Sequence, residues 1–206
     1  MFQKLKERSI LKKIHSFREI DGWLTDQEAL GLYLVASKLT PNATVVEIGS
    51  WQGKSTYCIS NGLRSGKVYA IDPFNADGGL DTQSQDEYNR KKGNKDLLEN
   101  FKATMTQLDV INKIAINKGY SSQFSKDFEK IDFLFIDGDH SIEGCKNDYD
   151  MYAHKVVAGG YIAFHDYYHE RPELGPTYVI DNLISTSKNF RFYRQFDSLW
   201  IAQKTI

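Results

Sequence analysis

Cysteine is scarce in this 206-residue sequence, with only Cys58 and Cys145, far apart and without metal or redox spacing. A disulfide framework is excluded, both side chains read as reduced thiols in helices, and a cytoplasmic location is the expectation. Long apolar runs are missing as well. No stretch approaches the roughly 20 residues needed to cross a bilayer. The start MFQKLKERSILKKIHSF scatters its apolar residues instead of gathering the about seven or more of a secretory signal. Stable membrane insertion is therefore not expected. Charge of one sign is also lacking, since 26 Lys and Arg against 27 Asp and Glu leave a net charge of −1. That balance provides no global basic field, so a nucleic-acid partner is not expected. Internal repeats are absent.

What is present is an ordinary globular composition, 41% hydrophobic and 13% aromatic, enough for one domain with one continuous core. Phe2, Leu5, Leu11 and Ile14 can line one stripe of a helix, so residues 1–22 read as an N-terminal helical extension. It would pack on the domain or on a second copy as a homodimer. A membrane-surface contact is the weaker alternative. Residues 23–206 read as one domain. Thr25 and Glu28 form a capping box that opens a helix over 26–39. A buried strand ATVVEIG follows, then a helix over 53–64 and a strand KVYAID closed by Pro73. The alternation continues with a helix over 95–108, a strand near KIAIN and a short helix after Ser121. The strand IDFLFID at 131–137, a helix over 141–155, an AGG turn and the strand YIAFHD at 161–166 complete it. This is an α/β pattern, a Rossmann-like doubly wound and mostly parallel sheet. The tail differs: FRFYRQF and LWIAQK flank only Asp197 and Ser198, which predicts a closing antiparallel hairpin. Residues 74–94 are polar and glycine-bearing, and read as a lid or substrate loop whose cluster Arg90, Lys91, Lys92 and Lys95 offers itself to an anionic acceptor or to solvent.

The stretch VVEIGSWQGKST ends like a phosphate-binding loop. However, only Ser50, Trp51 and Gln52 separate Gly49 from Gly53, where such a loop needs four residues, and Glu47 would repel a phosphate. In open α/β sheets the ligand lies beyond the carboxyl ends of the strands. There the chain places Glu47, Asp72, Asp137 with Asp139 and His140, and His165 with Asp166. Individually, such acids can cap helices or turns. Together they suit a ligand with positive charge, or a metal. S-adenosylmethionine meets this description, having a sulfonium, an ammonium, a ribose diol and no phosphate. Glu47 can serve the ammonium, Gly49 and Gly53 admit the backbone closely, and Asp72 stands where a strand-end acid takes the ribose hydroxyls.

At this point the sequence resembles the class I S-adenosylmethionine-dependent methyltransferases. The matching pieces, in the family's order over residues 23–168, are VVEIGSWQGKST, VYAIDPF, FLFIDGDHSIEG and GGYIAFHDY. In detail it is similar to the small O-methyltransferase branch of macrocin and related antibiotic or sugar methyltransferases, with catechol and caffeoyl-CoA enzymes more distant. The resemblance implies a seven-stranded sheet and a cofactor site of Glu47, Gly49, Ser50, Gly53, Ser55, Asp72, Pro73, Phe74, Gly119 and Asp137. It also implies a divalent cation, magnesium or manganese, at Asp137, His165 and Asp166. Relatives usually carry a carboxylate where His165 stands, so a metal-free route with His165 or His140 as general base stays open beside the metal. The acceptor expected is a small hydroxylated metabolite or sugar, with Trp23, Phe74, Tyr88, Tyr167 and Tyr168 as candidate pocket walls. Two other classes remain. A nicotinamide-dependent oxidoreductase would want a middle glycine that GSWQG lacks, and a non-catalytic cofactor-binding protein could keep the fold without the chemistry.

Overall fold

The computed structural model describes residues 2–81 and 84–205. Its seven strands are β1 (Ala43–Ile48), β2 (Gly66–Asp72), β3 (Ile114–Lys118), β4 (Ile131–Ile136), β5 (Val156–Phe164), β6 (Phe190–Phe196) and β7 (Leu199–Lys204). They form one sheet in the order β3-β2-β1-β4-β5-β7-β6. β1 pairs in parallel with β2 and β4, β2 with β3 and β4 with β5, whereas β7 runs antiparallel to β5 and β6. The order reverses between β1 and β4, which opens a crevice at their carboxyl ends. Asp197 makes the expected two-residue turn with Ser198, taking up φ +49°.

Helices cover both faces. On one lie α1 (Phe2–Lys13), α2 (Asp26–Ala36), α3 (Lys54–Gly62) and α5 (Leu97–Gln107). Their apolar residues, including Leu30, Leu32, Ile59 and Phe101, are buried against Val45, Val68 and Phe133 of the strands. α6 (Ser121–Phe124), α7 (Ile142–Tyr152) and α8 (Gly175–Val179, continued as a π-turn through Ile184) cover the other face. Each fully buried Leu, Ile or Phe contributes about 1.5–3 kcal/mol. Ile10 of α1 and Ile14 and Phe17 beyond it belong to the first core, while Leu5 is exposed, so the N-terminal segment packs on its own domain. No helix among the described residues is long and apolar enough to cross a membrane.

Three local readings change. The AGG turn is not a turn: β5 runs through it, with Ile131 opposite Val156 and Phe133 opposite Tyr161. Two steps on β4 therefore face five on β5, a bulge that Gly159 accommodates at φ +80°. The 74–94 segment is not wholly irregular, because α4 (Gln85–Lys92) forms inside it. The third is α8, which no apolar periodicity announced, although Pro176 in its first turn is a start signal.

Candidate active site

The glycine turn after β1 is built by contact between backbones. Gly49 adopts φ +87°, and a Cβ there would lie 2.0 Å from the Asp137 carbonyl oxygen, so no larger residue fits between this turn and the one after β4. Gly53, at φ +93°, caps α3. Beneath the turn Glu47 is fully buried. Its Oε2 accepts the hydroxyls of Ser50 at 3.0 Å and Thr56 at 2.5 Å, and its Oε1 has no hydrogen-bond partner among the described residues. Burial pushes this carboxyl up to about 7, against the hydroxyls of Ser55, Thr56 and Ser50 and with help from the charge of Asp137.

Asp72 ends β2 facing the same cleft. It accepts the Trp51 amide at 2.7 Å and the Phe74 amide at 2.6 Å. Burial still raises it to about 6, the backbone donors opposing and Asp137 adding to the rise. Gly49, Ser50, Ser55, Asp72, Pro73, Gly119 and Asp137 line a cleft of about 960 Å³. Glu47 and Gly53 lie behind that lining, as does Phe74, whose ring packs 5.3 Å from Phe101. Along the cleft, Ser121 donates to Asp148 at 2.5 Å. Burial lifts Asp148 to about 7, with Ser121 opposing and Asp139 contributing.

Beyond Asp137 the acids are paired instead. His165, at the end of β5 and buried, puts Nδ1 3.2 Å from Asp137 Oδ1 and 3.4 Å from Asp166 Oδ2. Its Nε2 lies 3.3 Å from Glu28 Oε2. Burial works against a charged ring, but these three carboxylates overcome it and raise His165 well above the usual histidine range. Glu28 is held in turn by Thr25 N at 2.8 Å and by Ser198 N and Oγ at 3.0 and 2.7 Å. Burial alone would raise it, yet His165, Thr25 and Ser198 bring it down to about 2. His140 sits 3.5 Å from Asp137, 3.4 Å from Asp166 and 3.4 Å from Asp81. Against burial, Asp137 and Asp81 lift it to about 10. Asp81 falls to about 2 chiefly through His140. Asp166, at φ +57°, also falls to about 2 as His165 and His140 outweigh its burial. The carboxylates around both imidazoles thus favour the protonated ring over the neutral one.

The ligand atoms that converge within 4.8 Å belong to Asp137, His140 and Asp166. His140 joins the two aspartates here, and His165 Nδ1 lies at 3.2 and 3.4 Å from the same two carboxylates while its Nε2 faces Glu28. Two carboxylates and one imidazole fit manganese better than magnesium, and an ion there would displace the proton these carboxylates hold on His140. Trp23, Tyr88 and Tyr168 line the cleft. Tyr167 does not, since its hydroxyl donates to Asp181 at 3.0 Å. Glu28 and Asp81 join the site without having been singled out for it. Glu28 was visible as a cap but its partner Ser198 lies 170 residues away, and Asp81 carries no local signal.

For the cofactor expected from sequence, the donor set fits. The glycine-turn end offers an unanswered buried carboxylate oxygen on Glu47 and a carboxylate on Asp72 with no cation beside it. The amides of Trp51 and Phe74 are spent on Asp72, which leaves them unavailable to a phosphate.

A family model described as a methyltransferase domain matches residues 46–167. Uncharacterized protein R132 of Acanthamoeba polyphaga mimivirus is 30% identical over 135 residues, which is 65% of this chain. The chain thereby spans about half, 56%, of that relative's length. Among solved structures, the O-methyltransferase TomG of Streptomyces achromogenes, in complex with SAM, superposes with a TM-score of 0.68 at 13% identity, over 96% of this chain and 90% of that one. An O-methyltransferase of Bacillus cereus, in complex with SAH, gives 0.67 at 14% identity over 97% and 90%. At these identities the likeness is one of fold.

Proposed function

The chain belongs to the methyltransferase-domain family, and on that premise we propose that it is an S-adenosylmethionine-dependent O-methyltransferase for a small hydroxylated metabolite or sugar, working in the cytoplasm. The observation that carries this reading is the contrast at the glycine-turn end: buried, cation-free carboxylates beside a turn whose nearby amides are already spent. Such a lining stabilises positive charge and hydroxyl donors and repels phosphate. The complexes that TomG and the Bacillus cereus enzyme form with SAM and SAH support the same assignment.

When bound, the cofactor supplies an activated methyl group on a sulfonium. Asp72 would hold the ribose diol, and the Gly49 turn with Ser50 would take the methionine part, above the carboxylate of Glu47. Asp137 and Asp166 would receive the acceptor hydroxyl and draw its hydrogen away from oxygen, while the protonated His165 keeps the two carboxylates from repelling each other. Trp23 and Tyr88 would wall the acceptor from water. A divalent ion held by Asp137, His140 and Asp166 would add Lewis acidity toward that hydroxyl.

Calorimetric titration with S-adenosylmethionine, S-adenosylhomocysteine, NADPH and ATP tests the assignment. Binding of the first two alone is expected, and tight binding of ATP or NADPH overturns it. A nicotinamide reductase is disfavoured by the same lining, since Lys54 is the sole Lys or Arg among its described residues and donates to the Gly22 carbonyl at 3.0 Å.

A further inference from the structure

The acceptor end of the cleft is acidic and aromatic together. The basic run that the sequence offered to an anionic acceptor is already paired within the chain. Lys91 and Lys95 pair with Asp21 at 3.0 and 3.4 Å. Lys92 donates to the Asn75 carbonyl at 3.0 Å, and Arg90 lies 3.7 Å from Glu87. None of the four lines the cleft. The carboxylates of Glu28, Glu87, Asp137 and Asp166 line this end of the cleft, with Asp81 beside His140. The nearest ammonium groups to a phosphorylated or carboxylated acceptor are already engaged, Lys54 on the Gly22 carbonyl and Lys91 on Asp21 beside the Trp23 ring.

The wall of this end is built for the opposite charge. Trp23 and Tyr88 meet edge to face at 5.5 Å, and both pack on Trp51 at 5.6 and 5.8 Å. Trp23 is 39% exposed at the mouth. Its indole N–H donates to Glu87 at 3.1 Å, which fixes a carboxylate at the ring edge. The Tyr88 hydroxyl lies 3.4 Å from His140, so one side chain reaches from the mouth to the reacting carboxylates. Aromatic faces backed by carboxylates attract ammonium groups. The chain already uses this chemistry once, with the Lys91 ammonium 4.2 Å from the centre of the Trp23 ring and 3.0 Å from Asp21.

We infer that the acceptor carries an ammonium group, seated by Trp23, Tyr88 and Glu87, and presents its hydroxyl to Asp137 and Asp166. Aminated sugars and hydroxylated amines fit, and phosphorylated or carboxylated acceptors do not. This rests on the methyltransferase reading and deepens it.

The test uses the full chain saturated with S-adenosylhomocysteine, in chelator, and two probe series that differ mainly in charge. One is glucosamine, glucose and glucuronate; the other is dopamine and 3,4-dihydroxyphenylacetate. Binding is read by calorimetry and by tryptophan fluorescence. In at least one series the amine should bind about tenfold or more tighter than the carboxylate, and Glu87→Gln and Trp23→Leu, both at partly exposed positions, should each shrink that preference. Equal or tighter binding of the carboxylates overturns the inference, as does a failure of every amine to bind. A preference that vanishes in millimolar magnesium also overturns it, because an ion then answers the charge. If S-adenosylhomocysteine itself does not bind, the methyltransferase reading falls and this inference with it. Bound S-adenosylhomocysteine without amine preference defeats this inference alone.

Discussion

At the glycine-turn end of the cleft Glu47 and Asp72 titrate near 7 and 6, while at the acceptor end Glu28, Asp81 and Asp166 titrate near 2. All five are carboxyls removed from bulk water to some degree, so burial alone does not separate them. Their neighbours do. Hydroxyls and amides surround the first pair and supply no full positive charge, so desolvation wins and both carboxyls are raised. His140 and His165 stand among the second group and keep those acids ionised. The first end waits for a cation from outside, whereas the second carries its own. Gly49 joins them, because its turn rests directly on the Asp137 backbone.

The largest test of this contrast removes the internal cation. His165→Leu leaves Glu28, Asp137 and Asp166 without their shared partner, and should cost about 3–5 kcal/mol at neutral pH, read by urea denaturation. Lowering the pH to about 5 should recover part of the loss, since the uncompensated acids then protonate. A cost below about 1 kcal/mol would show that His165 does not hold the acceptor end together. Gly49→Ala strikes both ends at once. Left-handed strain of about 1–2 kcal/mol and overpacking of about 1–3 kcal/mol should sum to a loss of about 2–5 kcal/mol, together with weaker cofactor binding.

Asp72→Ala addresses the glycine-turn end alone. Losing a charged acceptor for the ribose hydroxyls should weaken S-adenosylmethionine binding by about 2–4 kcal/mol, at about 1.5–3 kcal/mol per charged bond. Its native carboxyl is raised, and so destabilises the unliganded fold above the unfolded value near 4. Relief of that raised carboxyl offsets the loss of the acceptor for the Trp51 and Phe74 amides, so the melting temperature should change little at neutral pH while affinity falls. Unchanged affinity with a lowered melting temperature would make Asp72 structural. The smallest effect belongs to Lys91→Ala, which breaks a partly exposed pair with Asp21. It should cost at most about 1 kcal/mol, and should show instead as faster proteolytic cleavage near α4.

Much of this was legible beforehand because strand ends are local features. ATVVEIG, KVYAID and FLFIDGDH each carry a β pattern with an acid at or near its end, so Asp72 and Asp137 were placed at the cleft by the sheet rule alone, while Glu47 falls one residue inside β1, beneath the turn. The antiparallel hairpin was readable from the two residues between its strands. What was hidden depends on distance. The pairing of Glu28 with His165 and Ser198 joins α2 to the ends of β5 and of the hairpin, and no spacing in the sequence announces it. The same holds for His140 with Asp81, 59 residues apart. α4 was masked by polar composition, having no buried residue of its own, and the extension of β5 through AGG was masked by glycines that serve a bulge instead of a turn.

The contrast between the two ends is tested most directly by proton counting during cofactor binding. S-adenosylmethionine is titrated calorimetrically near pH 6.5 in two buffers of different ionisation enthalpy, and its affinity is followed from pH 5.5 to 7.5. The ammonium arriving above Glu47 and the ribose hydroxyls donating to Asp72 should both favour the ionised carboxyls, so protons should be released and affinity should rise with pH through about 6–7. Proton uptake, no proton exchange, or an affinity that falls with pH would contradict the account.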